Sequence, residues 1–207
     1  GIFGRVTGDA GSRFVIAIGQ AIFLVLFLIL YGDCIAARQR IGAVYFFSRI
    51  SNRKKWILKE FVWLLFYSVL YTFCFVGMHM IFSIWGSSEA DLSGTLFKVA
   101  FQIGLFLTLL LFEMAVLCNL FCAAGGSAIG ILLSMLCVIG LIMWSTAEVD
   151  GMVSEMINPM WLSADIIENG GSYIQKIIIV FLQTAICAVG TGYYLAKRDL
   201  FAREGEG

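Results

Sequence analysis

The hydrophobic positions of this chain fall into long unbroken runs, not into alternating or one-sided patterns. Residues 14–31 form the first run, 61–85 the second, 97–122 the third, 127–147 the fourth and 173–195 the fifth. Each is apolar on all faces of a helix and approaches or exceeds roughly 20 residues, enough to cross a hydrocarbon layer of about 30 Å at about 1.5 Å per residue. Transmembrane strands would be roughly ten residues long with alternating polarity, and these runs do not alternate. The pattern predicts an all-α polytopic bundle of about five transmembrane spans, a single domain over 1–207.

Charge then orients the bundle. Arg38, Arg40, Arg49, Arg53, Lys54, Lys55 and Lys59 lie between the first two runs, and Lys197, Arg198 and Arg203 follow the fifth. Glu89 and Asp91 lie between the second and third; Glu148, Asp150, Glu155, Asp165 and Glu168 lie between the fourth and fifth. Lys and Arg therefore collect on one side, which the positive-inside rule makes cytosolic. The expectation is a multi-pass protein of the plasma membrane with its C-terminus in the cytosol. An odd number of spans leaves Arg5 and Arg13 outside, which predicts a further upstream helix in the natural protein and six spans in all.

Two connections carry more than a turn needs. In residues 33–60, Ile41, Val44, Tyr45, Phe47, Ile50, Trp56, Ile57 and Leu58 are interleaved with the basic side chains. This suits short amphipathic helices lying on the inner membrane surface. Residues 148–172 hold Pro159, the one proline, among Met156, Ile157, Met160, Trp161 and Leu162. They read as a broken amphipathic hairpin at the outer interface, with Trp161 at headgroup depth.

Composition agrees. The chain is 60% hydrophobic and 14% charged, with a mean hydropathy of +0.93, where soluble chains carry about 25% charged residues. Net charge is zero, so partners must be sought in the distribution of charge; nothing points to nucleic acid. Of the six cysteines, all but Cys34 sit inside apolar runs and none forms a Cys-x-x-Cys pair, so they read as small apolar filler, not as a zinc site or disulfide framework. There is no phosphate-binding Gly-x-x-x-x-Gly-Lys-Ser/Thr loop, no Gly-x-Ser-x-Gly elbow, and a single histidine, His79, which excludes multi-histidine metal centres. The expected chain has no catalytic residues, metal or cofactor of its own.

A few polar or small residues stand out within the runs. Glu113 lies inside the third, nearer its cytosolic end, where a carboxyl costs several kcal/mol unless it faces a cavity or a partner. It reads either as a substrate-path residue or as a carboxyl bonded to a neighbouring helix. His79 reads as a hydrogen-bonded residue near the outer interface. Gly126, Gly130 and Ser134 repeat every four residues, which lets two helices approach closely, inside the bundle or at a dimer seam. The basic stretch from Arg49 to Lys59 exceeds the two or three charges that topology needs. It suits anionic lipid or a cytosolic partner.

The run Gly42-Ala-Val-Tyr-Phe-Phe-Ser-Arg-Ile-Ser-Asn-Arg-Lys-Lys-Trp-Ile-Leu-Lys59 resembles the first cytosolic segment of type-2 ABC transporter permeases, particularly the short bacterial ones linked with bacteriocin or peptide-antibiotic export and immunity. Gly192-Tyr-Tyr-Leu-Ala-Lys-Arg-Asp199 is similar to the family's exit from its last helix, and Asn158-Pro-Met-Trp161 to its outer re-entrant hairpin. Where many members carry Glu just before the glycine, this chain has Arg40-Ile41-Gly42. The resemblance implies the membrane half of an ATP-driven exporter of a hydrophobic or amphipathic peptide or lipid-like cargo. It implies a second permease copy, identical or related, and a separate cytosolic subunit binding ATP and Mg. Tyr45, Phe47, Arg49, Arg53, Lys55 and Trp56 would form the docking segment, and Glu113, Cys118 and Asn119 the path. A stand-alone carrier or channel, or a membrane scaffold or immunity protein without ATP, would share the topology.

Overall fold

In the computed structural model the described residues are 10–42, 53–86, 94–146 and 173–197. They form six α-helices: α1 (Ala10–Tyr31), α2 (Cys34–Gly42), α3 (Arg53–Gly86), α4 (Gly94–Gly125), α5 (Ser127–Thr146) and α6 (Tyr173–Lys197). Five segments are long and apolar enough to cross a membrane: Ala21–Arg40, Arg53–Phe82, Ala100–Gly125, Ser127–Trp144 and Tyr173–Lys197. The chain is an all-α, membrane-embedded bundle.

Helix α4 is its axis. Two thirds of its spanning segment (67%) is buried inside the bundle, against 17–39% for the other four. It packs against α5 and α1 on one side and against α3 and α6 on the other; α1 also meets α5, and α3 meets α6. Leu110, Leu111, Ala115 and Val116 of α4 pack into the same core as Phe27 and Leu28 of α1, Val138 of α5 and Val180 of α6. In lipid the surrounding chains are as apolar as leucine, so close packing and internal hydrogen bonds hold the helices together, not release of water. The outward faces are correspondingly greasy: Phe73, Leu136, Ile186 and Val189 are all largely exposed.

Helices α1 and α3 meet through rings. Phe23 lies 4.2 Å from Phe75 and 5.2 Å from Tyr71, and Tyr31 stacks on Tyr67 at 4.9 Å. The Tyr71 hydroxyl donates to the Phe23 carbonyl at 3.1 Å. Polar side chains inside the helices bond back to their own backbone: Ser68 to Leu64, Thr108 to Gly104, Ser134 to Gly130 and Thr184 to Val180. Such i−4 bonds supply a hydroxyl with an acceptor where water is absent.

One end of the bundle gathers α2, the start of α3 and the end of α6, which carry Arg38, Arg40, Arg53, Lys54, Lys55, Lys59 and Lys197, together with the end of α1 and the junction of α4 and α5. Lys98 and Lys176 belong to the first turns of α4 and α6, at the other end. The basic stretch is divided between elements. Residues 34–42 form α2, whereas Arg53 to Lys59 are the first two turns of the long helix α3, not a separate surface helix. From Arg53 to Phe61 the chain holds no Gly or Pro and several good helix formers, so nothing stops the second span's helix from running back this far. At 34 residues α3 is about 50 Å long, which carries its charged turns past the apolar layer. Residues 148–172, expected to form a hairpin, lie outside the described residues, as do residues 43–52.

Candidate functional site

The polar side chains of the basic end converge on the elbow between α1 and α2. Gly32 and Asp33 interrupt the helix, and the Asp33 carbonyl accepts the first bond of α2, from the Ala37 N–H at 2.7 Å. Asp33 is therefore the N-cap residue, whose side chain would ordinarily accept the N–H groups two and three positions on. Here another helix does so. The Oδ1 of Asn119, in α4, accepts from the Ile35 N–H at 2.9 Å and the Ala36 N–H at 3.1 Å. Asn119 is fully buried, and its Nδ2 donates to the Ala115 carbonyl at 2.8 Å. The two N–H donors fix which way the amide points.

Released from capping, the Asp33 carboxylate accepts a bond from the Ser127 hydroxyl at 2.9 Å, at the first residue of α5. Arg40, near the end of α2, donates to the same hydroxyl. On the other side Arg38 pairs with Glu60 of α3 at 2.5 Å. The short helix α2 is thus tied to α3, α4 and α5 at once. Glu60 has only 8% of its side chain exposed whereas Arg38 has 49%, so water screens the arginine but not the carboxylate. Arg38→Gln is expected to cost about 1–2 kcal/mol, read as a lower unfolding temperature in mild detergent. The charge-swapped pair Arg38→Glu with Glu60→Arg should recover part of that loss.

Below the elbow the backbones come unusually close. A Cβ on Gly32 would fall 2.7 Å from the Cys118 Sγ and 2.4 Å from the Leu28 carbonyl oxygen. One on Gly130 would fall 2.3 Å from the Cys122 backbone nitrogen. The α4–α5 turn above it is a single residue, Gly126, with φ +93°. Its N–H bonds to the Cys122 carbonyl at 3.0 Å and its own carbonyl accepts from Gly130 at 2.9 Å. It therefore closes one helix in the left-handed conformation and opens the next. Of the three small residues spaced by four, Gly130 makes the close approach, Ser134 lies buried behind it, and Gly126 forms the turn with open space at its Cβ position.

The residues expected along a path divide between two faces. Cys118 and Asn119 are completely buried toward the elbow. Glu113 sits midway between Ala100 and Gly125, at mid-depth of the apolar segment and not nearer its basic end. It faces α6, its Oε2 3.3 Å from the Thr184 hydroxyl oxygen. Six residues on, Asn119 points about 120° away around the helix, so the structure does not bring the two together. His79 is exposed, edge-on to the Phe75 ring at 4.5 Å.

Of the expected docking residues, Arg53, Lys55 and Trp56 lie in the first turn of α3, with Lys55 exposed and the other two half-buried. Tyr45, Phe47 and Arg49 lie outside the described residues. Among the described residues all six cysteines are free, and no three His, Cys, Asp or Glu side chains gather as a metal site would require. A scan of family models finds no match to the chain, and searches of characterised proteins and of solved structures find none either.

Asp33, Ser127 and Glu60 did not stand out in the sequence. Gly32-Asp33 directly after an apolar run was the available signal, since Gly followed by Asp both ends a helix and opens one. Their partners, 22 to 94 residues away, leave no trace in local spacing.

Proposed function

We propose that this chain is the membrane-spanning permease subunit of an ATP-driven exporter, set in the plasma membrane with its basic end and C-terminus in the cytosol. A separate cytosolic subunit would bind ATP and Mg, a second copy of this chain or a related one would complete the path, and the cargo would be a hydrophobic or amphipathic peptide or a lipid-like molecule. The reading rests first on the resemblance of residues 42–59, 158–161 and 192–199 to type-2 permeases.

The structural observation that supports it is the interlocked elbow. A permease driven from outside the membrane needs a rigid connection between its docking segment and its spans. Helix α2 leads into that segment and is held by Asn119 of α4, Ser127 of α5 and Glu60 of α3. A push on residues 43–59 would be delivered through α2 to the axis of the bundle, tilting packed helices as bodies between two arrangements. Glu113, on the α6 face of α4, is then the ionisable group placed at mid-membrane, where it would meet cargo or the second copy.

Purification from the native host in mild detergent tests this. A stoichiometric ATP-binding subunit whose hydrolysis depends on this chain is the expected result. Its reproducible absence would leave a carrier, channel or scaffold. Within the complex, Arg49→Glu with Arg53→Glu is expected to abolish cargo-stimulated ATP hydrolysis without unfolding the bundle, because a glutamate in the first turn of α3 suits the positive end of that helix. Normal stimulation in the double variant would remove the docking assignment.

A further inference from the structure

A groove of about 340 Å³ runs between the first turns of α3 and the last turns of α6. Its floor is apolar, formed by Ile57, Phe61, Val189 and Gly192, and its mouth lies at the basic end beside Lys54. Helices α3 and α6 run in opposite directions here, so Lys54 stands opposite Ala196 while Phe61 lies opposite Gly192 and Val189. Lys197 follows Ala196, the last residue of α6 to line the groove, and its Nζ is held 4.5 Å above the ring of Tyr193, which also lines it. From Lys54 to Phe61 the groove descends about 10 Å along the helix axis. Cations at the rim and hydrocarbon beneath is the arrangement of a phospholipid: a headgroup at the surface and an acyl chain below.

We propose that this groove binds one anionic phospholipid, its phosphate between Lys54 and Lys197 and one acyl chain against Phe61 and Val189. The charge argument selects the anionic class. Among the described residues the acidic side chains at this end of the bundle are Asp33 and Glu60, held by Ser127 and Arg38, so neither answers the two exposed lysines. The depth argument selects a lipid over an acidic protein. Val189, on the floor of the groove, is 73% exposed on a membrane-crossing helix, a surface that acyl chains reach and a soluble partner does not. Gly192 sets the width, since a Cβ there would stand 3.3 Å from the Phe61 ring and any larger side chain would fill the floor. The site does not depend on the transport reading and would hold for any function of the bundle.

The test is lipid retention on the purified chain by native mass spectrometry, titrating dioleoyl phosphatidylglycerol against dioleoyl phosphatidylcholine. The expected result is tight retention of one phosphatidylglycerol in preference to phosphatidylcholine. Two surface lysines imply that Lys54→Gln with Lys197→Gln weakens this first site about thirty-fold. Lys98→Gln, an exposed lysine at the other end, should leave it intact. Gly192→Val should lower retention of both lipids by blocking the floor; if that variant fails to fold, the lysine pair decides alone. Equal retention of the two lipids by the unaltered chain, or unchanged preference in the lysine double variant, overturns the proposal. So does a disulfide-linked dimer formed through Gly192→Cys, which would show a second copy occupying the groove.

Discussion

Asn119→Leu is expected to destabilise the folded chain by about 2–6 kcal/mol, as two buried donors lose their acceptor at once. The Ile35 and Ala36 N–H groups both end on Asn119 Oδ1, and Ile35 is fully buried with Ala36 nearly so. Each orphaned N–H costs about 1–3 kcal/mol, since no water stands by to replace the bond. The Asp33 carboxylate, which could cap the helix itself, is engaged with Ser127 and would have to abandon α5 to reach back. Loss of the bond from Nδ2 matters little, because the Ala115 carbonyl also lies at the i−4 position for the helix's own ladder. The variant should therefore melt earlier in mild detergent, and its Ile35 and Ala36 amides should exchange hydrogen faster than the rest of α2. Asn119→Asp keeps an acceptor at the positive end of α2 and should keep the Ile35 and Ala36 amides protected, although a carboxylate oxygen then faces the Ala115 carbonyl. Unchanged protection at Ile35 and Ala36 in Asn119→Leu would show that α2 does not depend on this cap.

A single buried asparagine inside an apolar run was visible before the fold was known, but its use was not. The resemblance to type-2 permeases makes Asn119 a path residue, whereas the structure makes it a cap. Its partners are backbone groups 83 and 84 positions earlier, and nothing in local spacing announces a long-range bond of that kind. The spans themselves were legible for the opposite reason. A helix that must hide its backbone from lipid leaves a continuous apolar run, so the five segments can be drawn from the hydrophobic pattern alone. The apolar run alone puts the start of α3 at residue 61, where the charged residues end. Charge ends the apolar layer only, and the backbone continues to Arg53.

The same distinction explains which residues the structure joined. Gly130 was singled out as a small residue for close packing, a property that depends only on the side chain being absent, and the structure puts it against α4. Glu113 was singled out for its charge, and what it meets depends on the rotation of α4 relative to α6, which an all-apolar helix does not encode. With apolar residues on every face there is no moment to show which stripe points inward. The polar contacts at the elbow, not the hydrophobic pattern, set that rotation: Asn119 to α2 and the one-residue turn at Gly126 leave α4 one way to face.

Gly130→Ala is the companion test of that seam, and its expected effect is a loss of about 3 kcal/mol from a single methyl group. The added Cβ would lie 2.3 Å from the Cys122 nitrogen, 2.4 Å from its Cα and 2.5 Å from its Sγ. Two of these three are backbone atoms, which cannot swing aside as a side chain does, so α4 and α5 must separate by an ångström or more. Overpacking by one carbon ordinarily costs about 1–3 kcal/mol, and here no rotamer change relieves it. The separation would also strain Gly126, whose N–H and carbonyl both tie into this seam. Gly140, almost three turns along the same helix, is the internal control: nothing lies within 4 Å of its Cβ position. Gly140→Ala should leave the melting temperature unchanged or raise it, because alanine loses less backbone freedom in a helix. Equal melting of the two alanine variants would mean that α5 can stand off from α4 at no cost, and the close approach would then be no part of what holds the bundle together.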